Sequence, residues 1–395
     1  MMQQQPLDKD IRSEQHVNYT VQDIVDVLET AYPPALAESW DKVGLICGDP
    51  TQSVTKVAVA LDCTQAVADA AVAAEAQLLI VHHPLLLRGV HTVAANTPKG
   101  RIIHTLIQAG VALFAAHTNA DSARPGVNDK LAQLVGISSG RPLSPKPDML
   151  EKWGVQVPHD AVDTVQKAIF AAGAGEVGEY SECSFAIAGQ GQFLPKQTAN
   201  PALGAVGELT QVAETRLEFV APQSKHAMVK AALQQAHPYE EVAFDVFCLD
   251  IPVDPEHAVG LGRIGTLPEP LCFADFVDQI AQQLPSTVWG VRGAGDPQAQ
   301  ISTVAVSSGA GDSFLDAAVA AGVDAFVTSD LRHHPVDETR AKSTMCIVDT
   351  AHWASEYPWT SQVQELLKAQ TTLAVDIIPI RTDPWTVVAH GKEDA

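Results

Sequence analysis

Five side chains of types that bind divalent metals follow predicted β-strands in this sequence. They are His82, His83, Asp121, His352 and Glu356. An open α/β sheet places its ligands at the carboxyl ends of its strands, which is where all five are predicted to lie. Imidazoles and carboxylates form a mixed nitrogen and oxygen set that suits Zn²⁺, Fe²⁺ or Mn²⁺ without a thiolate. We therefore expect this chain to bind divalent metal at that edge of the sheet.

The adjacent pair His82-His83 indicates two metal ions rather than one. Neighbouring side chains of a regular strand face opposite ways, so two adjacent histidines do not easily bind the same ion. At the end of a strand they can serve two neighbouring ions, and Pro84 holds His83 in an extended conformation. The alternative is a strand-end pair whose ring nitrogens bond to backbone or water.

A histidine and a carboxylate are spaced four residues apart at two places, His117 with Asp121 and His352 with Glu356. On a helix this spacing puts both side chains on one face, so both can reach one metal or bracket a pair. Taken singly, each pair is also compatible with a solvated helix face or a cap. Together with the histidine pair they predict two divalent ions per chain, an arrangement typical of hydrolases.

Four further residues are candidates for a catalytic role: Asp41, His117, Asp330 and His334. Asp41 lies in the segment 40–45, where it either approaches the metals or caps a turn. Asp330 and His334 follow a predicted strand, where they either face the metal site or form a solvated helix start.

The glycine-rich segment 307–311 joins a predicted strand to a predicted helix. Backbone amides at such a junction can hold an anion, so Ser308, Gly309 and Gly311 form a candidate anion site. The segment lacks the lysine of a P-loop and matches no dinucleotide fingerprint. A tight turn is the interpretation that we weigh against the anion site.

Composition and charge exclude several classes of protein. The chain of 395 residues has a net charge of −22 and 46% hydrophobic residues, which excludes a disordered or fibrous protein. No basic stripe is present to bind a phosphate backbone, so we expect no nucleic-acid partner. The negative net charge argues against binding to the surface of an anionic membrane. No apolar run approaches the ~18 residues of a membrane-spanning helix. Six scattered cysteines without a CxxC pair and a polar start predict a cytoplasmic protein.

Strand and helix patterns alternate on both sides of a central segment. This alternation predicts a largely parallel α/β sheet. Breaker-rich stretches at 137–149 and 250–262 flank the central segment, which has its own β-α-β and β-α-β order. We expect that segment to be an inserted ferredoxin-like α+β module. The predicted division of the chain is a first α/β half at 1–140, the module at 150–249 and a second α/β half at 250–395.

The two flanking regions share a hexapeptide, DAAVAA, at 69–74 and again at 316–321. Each copy lies between two apolar runs, and aligning the copies sets the two histidine–carboxylate pairs beside each other. Chance similarity between alanine-rich helices is the alternative, but three features that agree in order favour a duplication. The sequence therefore predicts two pseudo-repeated α/β halves that form one domain.

Six short motifs occur in order along the chain: WDKVGL at 40–45, HHP at 82–84, HTNAD at 117–121, GLGRIG at 260–265, TSD at 328–330 with His334, and DTAH at 349–352 with Glu356. On these motifs the sequence resembles the dinuclear-metal-centre proteins called GTP cyclohydrolase I type 2 homologs, the Nif-three-like family. The segment 150–249 is similar to the PII-like or CutA-like insert of longer members, through GEL at 207–209 and HPYEE at 237–241.

The resemblance implies a two-metal site ligated by the five residues named at the outset, with Glu356 bridging the ions. It also implies that six chains form a toroidal homohexamer whose sites face the interior. The functional hypothesis is a metal-dependent hydrolase of a nucleotide or related small anion. The alternative is a non-catalytic, metal-handling or regulatory hexamer, and both leave room for a small-molecule ligand.

Overall fold

The computed structural model describes residues 18–146, 149–252 and 258–389. Most of the polar start, and Pro147 and Pro255 of the two breaker-rich stretches, lie outside these residues. The first range contains β1 (Tyr19–Thr20), α1 (Val21–Ala31), β2 (Gly44–Cys47), β3 (Ser53–Val54), β4 (Lys56–Ala60), α2 (Gln65–Ala73), β5 (Leu78–Val81), α3 (Pro98–Gln108), β6 (Ala112–Ala115), α4 (Thr118–Ser122), α5 (Val127–Val135) and β7 (Ser144–Pro145).

The second range forms the middle segment, with β8 (Met149–Pro158), α6 (Val162–Ala171), β9 (Ser184–Phe193), β10 (Thr210–Pro222), α7 (His226–Ala236) and β11 (Phe244–Pro252). The third contains β12 (Gly260–Leu261), β13 (Arg263–Cys272), α8 (Phe273–Gln283), β14 (Val291–Ala294), β15 (Gln300–Ala310), α9 (Leu315–Ala321), β16 (Ala325–Ser329), α10 (His333–Lys342), β17 (Cys346–Thr350), α11 (His352–Glu356), α12 (Trp359–Gln370) and β18 (Ala374–Ile377). Among the described residues no helix combines the length and apolar character needed to cross a membrane.

Local sequence signals set the ends of several helices. Thr20 caps α1 in a capping box, since its hydroxyl accepts from the Asp23 amide and the Asp23 carboxylate accepts from the Thr20 amide. Helix α5 ends at Gly136, whose φ of +92° lies in the left-handed region that glycine adopts without steric cost. These signals explain why the predicted helices agree with the observed ones to within a few residues.

The first of two five-stranded sheets has the order β18-β4-β5-β6-β2. Its strands β18, β4, β5 and β6 are parallel, and only β2 runs antiparallel. The apolar runs of β4, β5 and β6 are buried on both faces, as expected for parallel strands covered by helices on each side. The prediction of a mixed α/β fold is therefore confirmed.

The second sheet has the order β13-β15-β16-β17-β14. Its three central strands are parallel, and both edge strands are antiparallel. The central strands β15, β16 and β17 follow the same order and direction in this sheet as β4, β5 and β6 in the first.

The last elements of the chain return to the first sheet. Strand β18 pairs with β4, and α12 buries Trp359, Val363 and Leu367 in the core of the first sheet. The range 250–395 thus contributes to both sheets, and the first sheet depends on residues near the carboxyl end of the chain.

The middle segment forms a four-stranded antiparallel sheet with the order β11-β8-β10-β9. Helices α6 and α7 bury Val165 and Leu233 against Trp153 and Leu217 of the sheet, so the segment has a hydrophobic core of its own. The predicted order requires a fourth strand, but sequence analysis did not locate it at β9, because the sequence SFAIAGQGQF is glycine-rich and largely exposed.

One buried ion pair connects α5 to β13. Arg263 is fully buried, and its Nε and Nη2 atoms donate to the two carboxylate oxygens of Asp129, each at 2.8 Å. Its remaining hydrogens go to the backbone carbonyls of Ala123, Gly260 and Gly262. All five donors of the guanidinium are therefore used, which satisfies a charge that would otherwise be costly to bury.

We predict that Arg263→Met lowers the free energy of unfolding by about 3–5 kcal/mol, because it leaves the half-buried Asp129 carboxylate without its positively charged partner. Urea denaturation followed by circular dichroism measures the change. Arg332→Met is the matched control: Arg332 is 76% exposed and pairs with Asp312. We expect it to cost less than about 1 kcal/mol. Equal losses in the two variants would contradict the prediction.

Candidate metal centre

The carboxyl ends of the two sheets bring the five predicted ligands together. His82 and His83 follow β5, Asp121 lies on α4 after β6, and His352 and Glu356 lie on α11 after β17. His83 Nε2 and His352 Nε2, which belong to different sheets, are only 3.4 Å apart. The cluster is mostly buried, with Glu356 3% and His82 0% exposed.

The ligand atoms form two sets that share Glu356. Its Oε1 faces His82 Nε2 at 3.7 Å, and the same nitrogen lies 3.9 Å from Asp121 Oδ1. Its Oε2 lies 2.9 Å from His83 Nε2 and 3.2 Å from His352 Nε2. Each set is tight enough to hold a divalent ion, since its ligand atoms lie within 4.8 Å of one another. The two oxygens of one carboxylate therefore serve two neighbouring groups.

Hydrogen bonds at Nδ1 orient the imidazoles of this cluster. His82 Nδ1 donates to the carbonyl of Ala116 at 2.8 Å, and His83 Nδ1 donates to Asp62 at 2.7 Å. His352 Nδ1 donates to Asp330 at 2.7 Å. A histidine that ligates metal normally donates its other nitrogen in this way, which fixes the ring and leaves Nε2 with a lone pair. All three Nε2 atoms point into the cluster.

One atom of the cluster, His82 Nε2, is closed to solvent and has no hydrogen-bond partner within the part of the chain that the structure describes. Buried polar atoms are nearly always paired, because an unpaired one loses its bonds to water without replacement. A lone pair on a buried nitrogen beside a buried carboxylate oxygen is the arrangement that a divalent cation satisfies. These residues therefore fit a metal.

Backbone and hydroxyl groups of β15 support the carboxylates. Ser308 Oγ donates to Asp121 Oδ1 at 2.8 Å. Gly309 has a φ of +62°, and a Cβ atom there would lie 2.3 Å from Glu356 Oε1. Only glycine allows the strand to approach the shared carboxylate this closely.

The structure shows where the amides of the expected anion site, Ser308, Gly309 and Gly311, form their hydrogen bonds. The Ser308 amide donates to the side chain of Asn128, and the Gly309 amide donates to Ser355 Oγ. The Gly311 amide donates to the carbonyl of Ser329. Since all three amides are used within the chain, none is left for an anion. The segment continues strand β15 to Ala310 rather than forming a strand-to-helix loop.

His117 is a fourth imidazole at the cluster. Its Nδ1 donates to Asp41 Oδ1 at 2.8 Å, and a ring nitrogen lies within 4.8 Å of those of His82 and His83. Asp41 Oδ2 accepts from the amide and the hydroxyl of Thr118. Burial acts to raise the pKa of Asp41, but these hydrogen bonds hold it well below its ordinary value. Asp41 is therefore an ionised partner that orients His117.

Of the two remaining catalytic candidates, Asp330 lies at the cluster and His334 lies away from it. Asp330 has a φ of +59°, a left-handed conformation that Asp tolerates better than most residues, and its carboxylate accepts from His352. His334 is exposed at the start of α10, where its ring contacts His333. Among the described residues, the groups that could hold a metal do not include His334. The structure brings Asp330 to the cluster and leaves His334 outside it.

Asp62 is a site residue that sequence analysis missed. It lies two residues after the end of β4, the strand beside β5, so its position near a strand end was the available signal. Its Oδ1 accepts from His83, and its Oδ2 accepts from the hydroxyl of Thr382 near the carboxyl end of the chain. Asp62 thereby links an imidazole of the cluster to the returning carboxyl-terminal segment.

The carboxylates keep two imidazoles protonated when no ion is present. Burial acts to lower the pKa of His83, but Glu356 and Asp62 outweigh it and raise that pKa to about 10. The pKa of His352 is likewise well above its ordinary value, against burial, because of Glu356 and Asp330.

The pKa values of the two buried carboxylates in the cluster shift in opposite directions. Burial acts to raise the pKa of Glu356, but His352, His83 and His82 hold it well below its ordinary value. Burial dominates at Asp121 and raises its pKa. The shared carboxylate is therefore ionised, ready to bind a cation.

We predict that metal binding at pH 8 releases protons. His83 is charged below its pKa of about 10 and must become neutral to ligate, so binding at pH 8 displaces its proton, and this release declines above about pH 10. Calorimetric titration of Mn²⁺ in two buffers with different ionisation enthalpies measures the number of protons. His83→Gln should lower it, whereas His104→Gln, exposed on α3, should not. Binding without proton release at pH 8 would contradict the prediction.

We predict that Asp62→Ala weakens metal binding about 10–100-fold, because His83 loses the partner that fixes its ring. The dissociation constant for Mn²⁺, measured by calorimetry, tests this. Asp278→Ala, exposed on α8, is the control and should bind as the unaltered chain does. Unchanged affinity in Asp62→Ala would show that the hydrogen bond does not orient the ligand.

Comparison with known proteins places this chain in a family. The sequence profile of DUF34/NIF3 (NGG1p interacting factor 3) matches residues 19–384. The chain is 53% identical over 369 residues to a Mycobacterium tuberculosis protein named GTP cyclohydrolase 1 type 2 homolog, covering 92% of this chain and 96% of the relative. A Bacillus subtilis protein of the same name is 38% identical over 337 residues, 85% of this chain and 88% of the relative.

A solved structure also points to the NIF3 family. The crystal structure of a Bacillus cereus protein related to NIF3 has a TM-score of 0.77 and 34% identity, covering 94% of this chain and 99% of that one. The resemblance stated from the motifs is thereby confirmed. This chain belongs to the DUF34/NIF3 family.

Proposed function

We propose that this chain is a metal-dependent hydrolase whose site holds two divalent ions, Zn, Fe or Mn, and acts on a nucleotide or related small anion. The ligands would be the five residues His82, His83, Asp121, His352 and Glu356. The observation that carries the proposal is the sharing of Glu356, one of whose oxygens faces each ligand set. Two bound ions would supply Lewis acidity and an acidic water, the chemistry of many hydrolases.

His117 is the residue we assign to proton transfer. Its Nδ1 is held by the ionised Asp41, which fixes the tautomer and leaves Nε2 free to accept a proton. Neither of the two ligand sets that share Glu356 needs His117, so its ring is available to a substrate. Asp41 and Asp330 act as positioning residues, since each holds an imidazole by its Nδ1.

The finer organisation of the chain is also a proposal. We infer two pseudo-repeated α/β halves within one domain, because the parallel triplets β4-β5-β6 and β15-β16-β17 have the same order. We infer a ferredoxin-like insert from the β-α-β-β-α-β order of the middle segment and its antiparallel sheet. A cytoplasmic toroidal homohexamer without nucleic-acid partners remains the expected assembly, and the mass of the full chain in solution tests it.

We predict that Glu356→Gln abolishes both metal binding and turnover, because it weakens both ligand sets at once. His117→Ala should keep two ions and lower kcat by about 10²–10⁴-fold. Elemental analysis and a screen of nucleotide turnover measure the two effects, with His104→Ala as a control that should leave both unchanged.

The proposal fails if the unaltered chain holds two ions and turns over no member of the nucleotide panel. The non-catalytic, metal-handling alternative would then account for the site. Turnover that persists undiminished in His117→Ala would remove only the role assigned to His117.

A further inference from the structure

The middle segment contains a cavity of about 810 Å³. All residues that line it lie between positions 156 and 243, so none of the predicted metal ligands takes part. The volume is within the range of sites that bind small organic molecules. The cavity is therefore a candidate binding site separate from the metal centre.

One carboxylate that lines this cavity, that of Glu214 on β10, is almost completely buried. The residue is only 7% exposed. The hydroxyl of Tyr239, which also lines the cavity, donates to its Oε1 at 2.8 Å. A Cβ atom on Gly191, a third lining residue, would clash with its Oε2. A larger residue at position 191 would therefore displace this carboxylate from the cavity wall.

Other carboxylates of the same sheet have cationic partners, whereas Glu214 has none among the described residues. Lys152 pairs with Glu218 at 2.7 Å, and Arg216 pairs with Asp245 at 2.9 Å. Burying a carboxylate is costly unless a cation or several hydrogen bonds compensate for the lost water. A ligand that brings an ammonium group to Glu214 would supply the missing partner.

Acidic and apolar side chains together form the rest of the cavity wall. Glu240 and Glu241 are exposed, so they lie nearer the mouth of the cavity than Glu214 does. Lys196 is the one cation in the wall. The apolar side chains include Phe193, Leu194, Pro195, Pro201 and Leu203. Three carboxylates against one lysine favour a positively charged ligand, and the apolar side chains favour one with a hydrocarbon body.

The HPYEE motif at 237–241 places three of the polar residues at the cavity. His237 is buried, its Nδ1 accepts from the amide of Tyr239 at 3.1 Å, and its Nε2 donates to the carbonyl of Gln156 at 2.9 Å. The ring of Tyr239 contacts that of Phe193, with centroids 5.9 Å apart and planes at 65°. Because the Tyr239 hydroxyl reaches Glu214, this aromatic pair lies beside the buried carboxylate, and the face of an aromatic ring attracts a cation.

We propose that this cavity binds an aliphatic diamine or polyamine. One ammonium group pairs with Glu214 beside the rings of Phe193 and Tyr239. A second ammonium group lies near Glu240 and Glu241 at the mouth, and the methylene chain packs against the apolar wall. A neutral molecule of the same length leaves Glu214 without a cation, and an anion is repelled. The inference does not rest on the proposed function, because no predicted metal ligand lines this cavity.

The test uses the full chain and two probes of equal length, 1,8-diaminooctane and 1,8-octanediol. Calorimetric titration at physiological ionic strength, which screens long-range attraction to the acidic chain, measures both dissociation constants. We expect the diamine to bind at least about tenfold more tightly than the diol, because a charge-assisted hydrogen bond replaces a neutral one. Glu214→Gln keeps the shape of the side chain and removes its charge, so it should reduce that preference to below about threefold.

Glu176→Gln is the control, because it removes the same charge from an exposed position of the middle segment that does not line the cavity. It should leave both dissociation constants unchanged. Glu240→Gln combined with Glu241→Gln should weaken the diamine by about threefold and leave the diol unchanged, since both positions are exposed. This double substitution decides the matter if circular dichroism shows that Glu214→Gln does not fold.

Equal affinity for the two probes would overturn the inference. So would a diamine affinity that neither Glu214→Gln nor the double substitution lowers. A loss in Glu176→Gln as large as in Glu214→Gln would also overturn it, because it would show general attraction to a negatively charged chain.

Discussion

The hydrogen bond that each imidazole of the cluster makes through Nδ1 fixes the orientation of its ring, and so decides whether Nε2 points into the candidate metal site. Asp41, Asp62, Asp330 and the Ala116 carbonyl each accept one of these bonds. Because Nδ1 keeps its hydrogen, Nε2 of His83 and of His352 offers a lone pair to a cation once the second proton of the ring has left. A ring without such a partner would be free to turn its Nε2 away from the cluster, so these acceptors are as much part of the site as the ligands.

The site exists only where the two sheets meet. One ligand set draws His82 and Asp121 from the first sheet, and the other pairs His83 with His352 of the second, while Glu356 belongs to both sets. The carboxyl-terminal segment also connects the two sheets, because the chain returns from the second sheet to pair β18 with β4 of the first. Metal binding and packing of the two sheets should therefore depend on each other, because a shift of one sheet would separate the candidate ligands of both sets.

Much of the fold and of the candidate site was predictable because it depends on neighbours in the sequence. The spacing of His352 and Glu356 on one helical turn and the placement of His82 and His83 after a buried strand follow from local geometry. Strand β9 escaped prediction because a glycine-rich edge strand has no buried face to set an alternating pattern. The sequence could not show that the amides of Ser308 and Gly309 donate to acceptors on distant elements.

The sequence by itself determined the types of ligand, their order and their position at strand ends, since these depend on residue chemistry and backbone periodicity. Only the tertiary structure decided which polar groups act together. Asp62 became the partner of His83 because β4 and β5 are adjacent in the sheet, and His334 stayed outside because helix α10 starts at the surface. The contact between the rings of Trp289 and Trp385 likewise needed the chain to fold back across almost a hundred positions, a distance over which sequence patterns carry no geometric information.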